Sequence, residues 1–286
     1  MQDLLCLERG SAAWPPGLDR VEAPPRRLWL SGRPELLGRP PGLAIVGSRA
    51  ATPYGRVQAA RFAEAGVRAG MTIISGLARG VDEAAHHAAL EAGGETIAFL
   101  GCGVDRPWPD GPLARRMSEE GLLVSEHPPG QGPRRHHFPL RNRLIAGLAE
   151  AVLVVEAAQA SGSLITARWA LGQGKPVYSL PGRVDNPLAR GTHGLIRDGA
   201  VPVGSPEELL SDLGGGPAGD APLHEPHPSH PLLRALQGET AGVAELAELT
   251  GEDVDCILAE LAELELSGSV VRTPGGLYRL GRTTSG

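Results

Sequence analysis

Residues 133–147 read PRRHHFPLRNRLIAG, with four arginines (Arg134, Arg135, Arg141, Arg143), two histidines and Phe138, and no acidic residue. A guanidinium is a planar fork of donors that matches phosphate oxygens, and a phenyl ring is a flat apolar face on which a nucleobase stacks. Together these side chains have the chemistry of a single-strand nucleic-acid contact. The competing reading makes Phe138 a core residue and the arginines a solvated turn; Pro139 beside Phe138 gives the segment a loop-like context.

Other candidates follow apolar runs. Ser48 and Arg49 come after LAIVG, Gly76, Arg79 and Gly80 after TIIS, and Ser161, Gly162 and Ser163 after AVLVVEA. Small or cationic residues after a strand leave backbone amides open to an anion, and phosphate is the obvious one. Other chemistries lack their motifs. The first such loop, GSRAATPYG, has no G-x-G-x-x-G, so a dinucleotide cofactor is not expected. There is no G-x-S-x-G, no H-E-x-x-H and no G-K-[ST] loop. His86 and His87 are adjacent on a helical pattern and diverge by about 100°, which makes them poor joint metal ligands. Asp82 and Glu83 suit the start of that helix, and Glu156 ends a buried strand. No catalytic residue, cofactor or metal is expected.

The elements that must position these residues are legible from Leu43 onward. Runs at 43–47, 72–76, 95–101, 122–126, 151–157, 176–182 and 200–204 are apolar without alternation, and amphipathic stretches such as RVQAARFAEAGVRAG and SLITARWALGQG lie between several of them. That pattern predicts an α/β fold, an extended Rossmann-like, doubly wound, mostly parallel sheet covered on both faces. Ligands of such sheets bind beyond the carboxyl ends of the strands, where the candidate loops fall. Residues 1–41, rich in Pro, Gly and Arg, read as an irregular arm packing on the first strand of a Rossmann-like domain at 42–213. Residues 214–230 read as a linker, and 231–282 as a small winged-helix-like domain of three helical patterns and a Pro-Gly-Gly hairpin.

Over 286 residues the net charge is −6, so a nucleic-acid surface must be local. Cys6, Cys102 and Cys256 are odd in number and far apart, which fits a reducing cytoplasm, and no secretory signal or 18-residue apolar run is found.

Several blocks together carry a family resemblance: GSRxxxxYG at 47–55, SGLARGVDEAAH at 75–86, SEHPPG at 125–130, FPLRNRLIAGL at 138–148, SGSLITA at 161–167 and GLIRDGA at 194–200. The chain resembles the DprA/Smf family, the DNA-processing protein A of natural transformation, over residues 14 to 210. The resemblance implies a cytoplasmic homodimer that binds single-stranded DNA at the loop end of the sheet, protects incoming DNA and loads the RecA recombinase onto it. It implies DNA contacts at Ser48, Arg49, Arg135, Phe138, Arg141, Asn142, Arg143 and Ser161, beside the Arg79, Gly162 and Ser163 of the anion-suited loops. Two departures are His193 in GTHGLI and Trp108 where a tyrosine is usual. The helical N-terminal domain of some members is too long to fit.

The third helical pattern of the C-terminal region, 253–265, holds Asp253, Asp255, Glu260, Glu263 and Glu265 and no basic residue. It would repel phosphate, which favours a protein-interaction or structural role over DNA recognition, with Arg272 and Arg279 of the wing as the reservation. Two rival functions remain open: a nucleotide-processing enzyme of the nucleoside-monophosphate phosphoribohydrolase type, and a protein-interaction scaffold. The first would need an acid in the loop SGSLITARW, which has none.

Overall fold

Each apolar run from Leu43 onward carries a strand, and each amphipathic stretch between them carries a helix. The computed structural model describes residues 4–39, 41–214, 230–236, 240–266, 269–273 and 275–281. The core alternation is β3 (Gly42–Val46), α1 (Pro53–Arg68), β4 (Thr72–Ser75), α2 (Val81–Glu91), β5 (Thr96–Phe99), α3 (Pro112–Glu120), β6 (Leu122–Ser125), α4 (His137–Leu148), β7 (Ala151–Val154), α5 (Ser163–Gly172) and β8 (Val177–Ser179). It is followed by α6 (Arg190–Arg197), β9 (Val201–Pro202) and α7 (Pro206–Asp212), and preceded by β1 (Leu5–Glu8) and β2 (Arg27–Gly32).

The nine strands form one sheet in the order β1-β2-β6-β5-β4-β3-β7-β8-β9. Strands β3 to β9 are mutually parallel, while β2 runs antiparallel to β6 and β1 antiparallel to β2. Successive side chains of β3 serve opposite cores. Leu43 and Ile45 pack with Ala59, Phe62 and Ala85 of α1 and α2, and Ala44 and Val46 pack with Leu144, Ile145 and Leu164 of α4 and α5. Both faces are buried, which is why the runs show no alternation. The chain steps outward from β3 to β6, then returns through α4 to β7 on the other flank of β3. The connections after β3 and β7 therefore part at this switch point and leave a cleft beyond the strand ends.

The expectation of an irregular arm at 1–41 is corrected. Its β1 and β2 extend the sheet, and β2 joins at β6, with Trp29 opposite Ser125, instead of lying on β3. Leu28 and Leu30 enter the core shared with α4 while Trp29 packs toward Met117 and Leu123 on the other face. This alternation spans only Arg27–Gly32 and sits among prolines, too short a period to stand out in sequence.

By contact the chain divides into units Met1–Ala218 and Gly219–Gly286. In the second, α8 (Pro231–Ala235), α9 (Val243–Thr250) and α10 (Val254–Leu266) precede the hairpin of β10 (Val270–Arg272) and β11 (Tyr278–Leu280). Leu232, Leu246, Ile257, Leu261, Val270 and Tyr278 form its core, the layout of a winged helix. Most of the expected linker, 215–229, lies outside the described residues, as does 282. Among the described residues no helix is long and apolar enough to cross a membrane.

Candidate functional site

The loop after β3 is fixed by its backbone. Ser48 N donates to Glu156 O at 2.6 Å, Val81 N to Ser48 O at 3.3 Å, and Ala50 N to Ser48 Oγ at 3.1 Å. Gly80, at φ +86°, lets the α2 N-terminus come this close; a Cβ there would strike Ser48 O. The Glu156 carboxylate accepts from Thr52 N at 2.9 Å and from Thr52 Oγ1 at 2.6 Å, so it braces the start of α1. In the loop after β4, Leu77 sits at φ +59°, an unfavourable conformation for a branched residue, held by complete burial of its side chain.

The segment FPLRNR is helical, which corrects the loop-like reading. It forms the first turns of α4, where the missing N–H of Pro139 would have had no intrahelical acceptor in any case. Phe138 is half-buried, its ring against the Gly101 backbone, and the Arg49 guanidinium carbon stands 5.4 Å from the ring centroid.

Arg141, 3% exposed, donates through Nη1 to Phe99 O and to Gly76 O at 2.9 Å, and through Nε to Asn142 Oδ1 at 3.2 Å. A Cβ at Gly76 would fall 2.6 Å from its Nη2, so that glycine makes room for the guanidinium. Burial lowers the Arg141 pKa to about 10 against the opposing attraction of Asp82. Burial raises the Asp82 carboxyl in spite of Arg141 and of the hydrogen bond from Gly76 N at 3.0 Å. Asn142 is also a brace, donating to Gly162 O at 3.0 Å and so tying α4 to the start of α5.

Arg143 requires a correction. Its Nη1 and Nη2 hold Glu126 at 2.8 and 2.7 Å, and Nε and Nη2 hold the carbonyls of Glu22 and Ala23. Nη1 also donates to Leu140 O. Every nitrogen of the fork is used inside the protein, which leaves none for a phosphate. Burial would raise the Glu126 carboxyl, but the hydrogen bonds and charge of Arg143 outweigh it and hold that carboxyl below its ordinary value.

Two adjoining cavities open at the strand ends. One, of about 390 Å³, is lined by Arg49, Arg79, Trp108, Pro109, Phe138 and Arg141 among others. The second, of about 460 Å³, reaches the switch point and is lined by Ser48, Asp82, Asn142, Ser161, Gly162 and Ser163 besides the shared Arg49, Phe138 and Arg141. Phe138 is thus a wall common to both. Ser161 and Ser163 hydroxyls lie 2.8 Å apart at the N-terminus of α5, where the helix end favours an anion. Among the described residues three cations and a single carboxylate line the pair, and Arg49 and Arg79 are exposed at the rim.

Of the expected site residues, Arg135 is exposed in the turn before α4 and lines neither cavity, and Arg143 faces away into its ion pair. The others converge. Sequence reasoning missed Trp108, which is 56% exposed at the mouth of the first cavity and which it weighed only as a departure from a family pattern. The signal was present as an aromatic in a Pro- and Gly-rich connection beyond the end of β5.

A family model described as DNA recombination-mediator protein A matches residues 6–214, and one described as DprA winged helix domain matches 216–276. The chain is 44% identical over 254 residues to Protein Smf of Escherichia coli, covering 84% of this chain and 68% of that protein. It is 39% identical over 205 residues to DNA processing protein DprA of Bacillus subtilis, covering 71% and 69%. The X-ray structure of DNA processing protein A from Streptococcus pneumoniae superposes with a TM-score of 0.70 at 38% identity, covering 74% of this chain and 75% of that one. DNA processing protein A from Helicobacter pylori, whose structure is described as giving insight into a single-stranded DNA binding mode, superposes with a TM-score of 0.68 at 30% identity over 74% and 98%.

Proposed function

The chain belongs to the DprA/Smf family, and from that premise we propose that it binds single-stranded DNA in the cleft at the strand ends, without turnover. The observation that carries the reading is Phe138, a half-buried ring forming a wall of two adjoining cavities with the Arg49 cation beside it. A base entering either cavity meets an aromatic face, and its phosphate meets Arg49 or Arg79 at the rim. Trp108 offers a second stacking face on the first cavity. The N-terminus of α5, with Ser161, Gly162 and Ser163, supplies amide and hydroxyl donors in the second. Buried Arg141 adds positive potential from beneath. The H. pylori relative, described by its single-strand binding mode, supports the same partner.

Binding without catalysis fits the polar inventory. Among the described residues the one carboxylate lining the cavities, Asp82, accepts from Gly76 N and sits against Arg141. Glu156 is committed to Thr52. In the cell the function is to protect DNA entering by natural transformation and to load the RecA recombinase on it, from a homodimer in the cytoplasm. The second unit has a different role: Asp253, Asp255, Glu263 and Glu265 are exposed along α10 and its approach, so this face repels phosphate and suits a protein partner.

Fluorescence anisotropy of a labelled oligonucleotide over a salt series, with duplex as competitor, tests the central reading. Binding that prefers single strands and falls with salt at about −0.7 in log–log slope per contacted phosphate is expected; absence of binding at low salt defeats it. Release of free base from nucleoside monophosphates would restore the enzyme reading. The rate at which RecA begins ATP hydrolysis on the strand, with and without this protein, tests loading.

A further inference from the structure

Behind Phe138 lies a cluster that lines neither cavity. His137 Nδ1 is 3.0 Å from Gly101 O, which only accepts, so this ring carries its proton on Nδ1 and presents Nε2 as an acceptor. Gln131 Nε2 lies 3.5 Å from that atom, at the limit of hydrogen bonding, and 3.3 Å from Nδ1 of His127. An amide nitrogen carries two hydrogens, so one side chain can donate to both rings; His127 then holds its proton on Nε2, which is buried and has no hydrogen-bond partner among the described residues. The rings stack with centroids 4.0 Å apart and planes 23° apart. Main-chain bonds anchor the arrangement, Gly103 N to Gln131 O at 2.8 Å and His127 N to Ser125 Oγ at 3.0 Å. On the Gly101 backbone rests Phe138: a Cβ at Gly101 would fall 3.0 Å from its Cδ1.

We infer that Gln131 is a positioning residue for Phe138, bridging the stacked rings of His127 and His137 so that they seat the first turn of α4 on Gly101. The inference rests on the single-strand reading of the cleft and adds that stacking there depends on the protonation of His127, which lies outside it. A second proton on His127 sets donor against donor at Gln131. Turning the amide to present its oxygen would leave a cation at the positive end of α4, stacked on the other imidazole.

The charged and titratable groups around His127 come from every side. Glu126 precedes it, His137 and Arg143 come from α4, and His136 from the turn before that helix. The loop bearing Gly101 brings Cys102, and Asp105, whose carboxylate accepts from Gly130 N at 2.9 Å. Glu126 favours a proton on His127 but is already held by Arg143. Burial and the neighbouring His137 hold the His127 imidazole below its ordinary value, so the lock is present at neutral pH and is lost as pH falls through that lowered value.

The test is single-strand affinity from pH 8 to 5 for wild type, Gln131→Ala and Gln131→Glu. Wild-type affinity is flat to pH 6.5 and then falls. Gln131→Ala binds on the order of tenfold more weakly at pH 8 and loses the pH dependence. Gln131→Glu, which only accepts, is weak at pH 8 and regains affinity on acidification, a reversal that a merely structural role would not produce. Identical profiles for the three proteins overturn the inference. If wild type binds no single strand, the reading of the cleft fails, and ¹⁵N imidazole spectra then decide the lock. Nδ1–H on His137 with Nε2–H on His127 supports it, and any other pair of tautomers overturns it.

Discussion

On one flank of α4, Phe138 and the guanidinium of Arg49 border open cavities; on another, Arg143 is enclosed by Glu126 and two carbonyls of the 22–23 segment. Residues five apart in one motif thus have opposite duties. Arg141 stands between them, its Nε and Nη1 engaged within the fold while its side chain still borders both cavities. An arginine-rich motif is therefore not a measure of how many phosphates a protein holds: part of the charge builds the platform from which the rest acts.

Substitutions separate the two flanks. The largest effect is expected for Arg143→Ala, which strands Glu126 partly buried and costs about 3–5 kcal/mol of stability, read by chemical denaturation. The pH dependence then inverts. In wild type the Glu126 carboxyl lies below 4.5 when folded, so its contribution is present above about 4.5 and lost as pH falls through the folded value. In the variant, burial loses its main counterweight and only the weaker pull of His127 and His137 remains, so the carboxyl rises and mild acidification restores part of the stability. A variant of wild-type stability would place Arg143 on the ligand side and break the comparison.

Next comes Phe138→Ala, with a loss of about 1–3 kcal/mol in single-strand affinity and little change in salt slope, because a ring releases no counterions. Arg49→Ala should lower the salt slope by about 0.7 with melting unchanged; an unaltered slope would move Arg49 from the phosphate to the role of a lid on the ring. The smallest effect is expected in the winged helix, where Asp255→Lys combined with Glu263→Lys should leave the wild-type preference for single strands intact. If the two acids were shielding a DNA-binding wing, affinity would rise and duplex would begin to compete.

Much of the fold was legible because its signals are local. LAIV, TIIS and AVLV are apolar without alternation, the mark of strands covered on both faces, and residues after each line the cavities at the strand ends. Arg27–Gly32 was harder: two inward leucines among prolines do not make a period, and only pairing with β6 shows it to be a strand. Trp108 was visible as a residue but not as a wall, since its connection reaches the cleft only once β5 lies beside β4.

By itself, then, the sequence determined the doubly wound architecture, the end of the sheet where the cavities open, and the types of side chain there, because hydrophobic period, glycine and helix-starting residues act within a few positions. Only the tertiary structure decided which arginine faces outward. Among the acceptors that claim Arg141 and Arg143, Gly76, Phe99, Glu126 and Ala23 are 65, 42, 17 and 120 residues away, and no local preference distinguishes a guanidinium that will meet a buried carbonyl from one that will meet a phosphate.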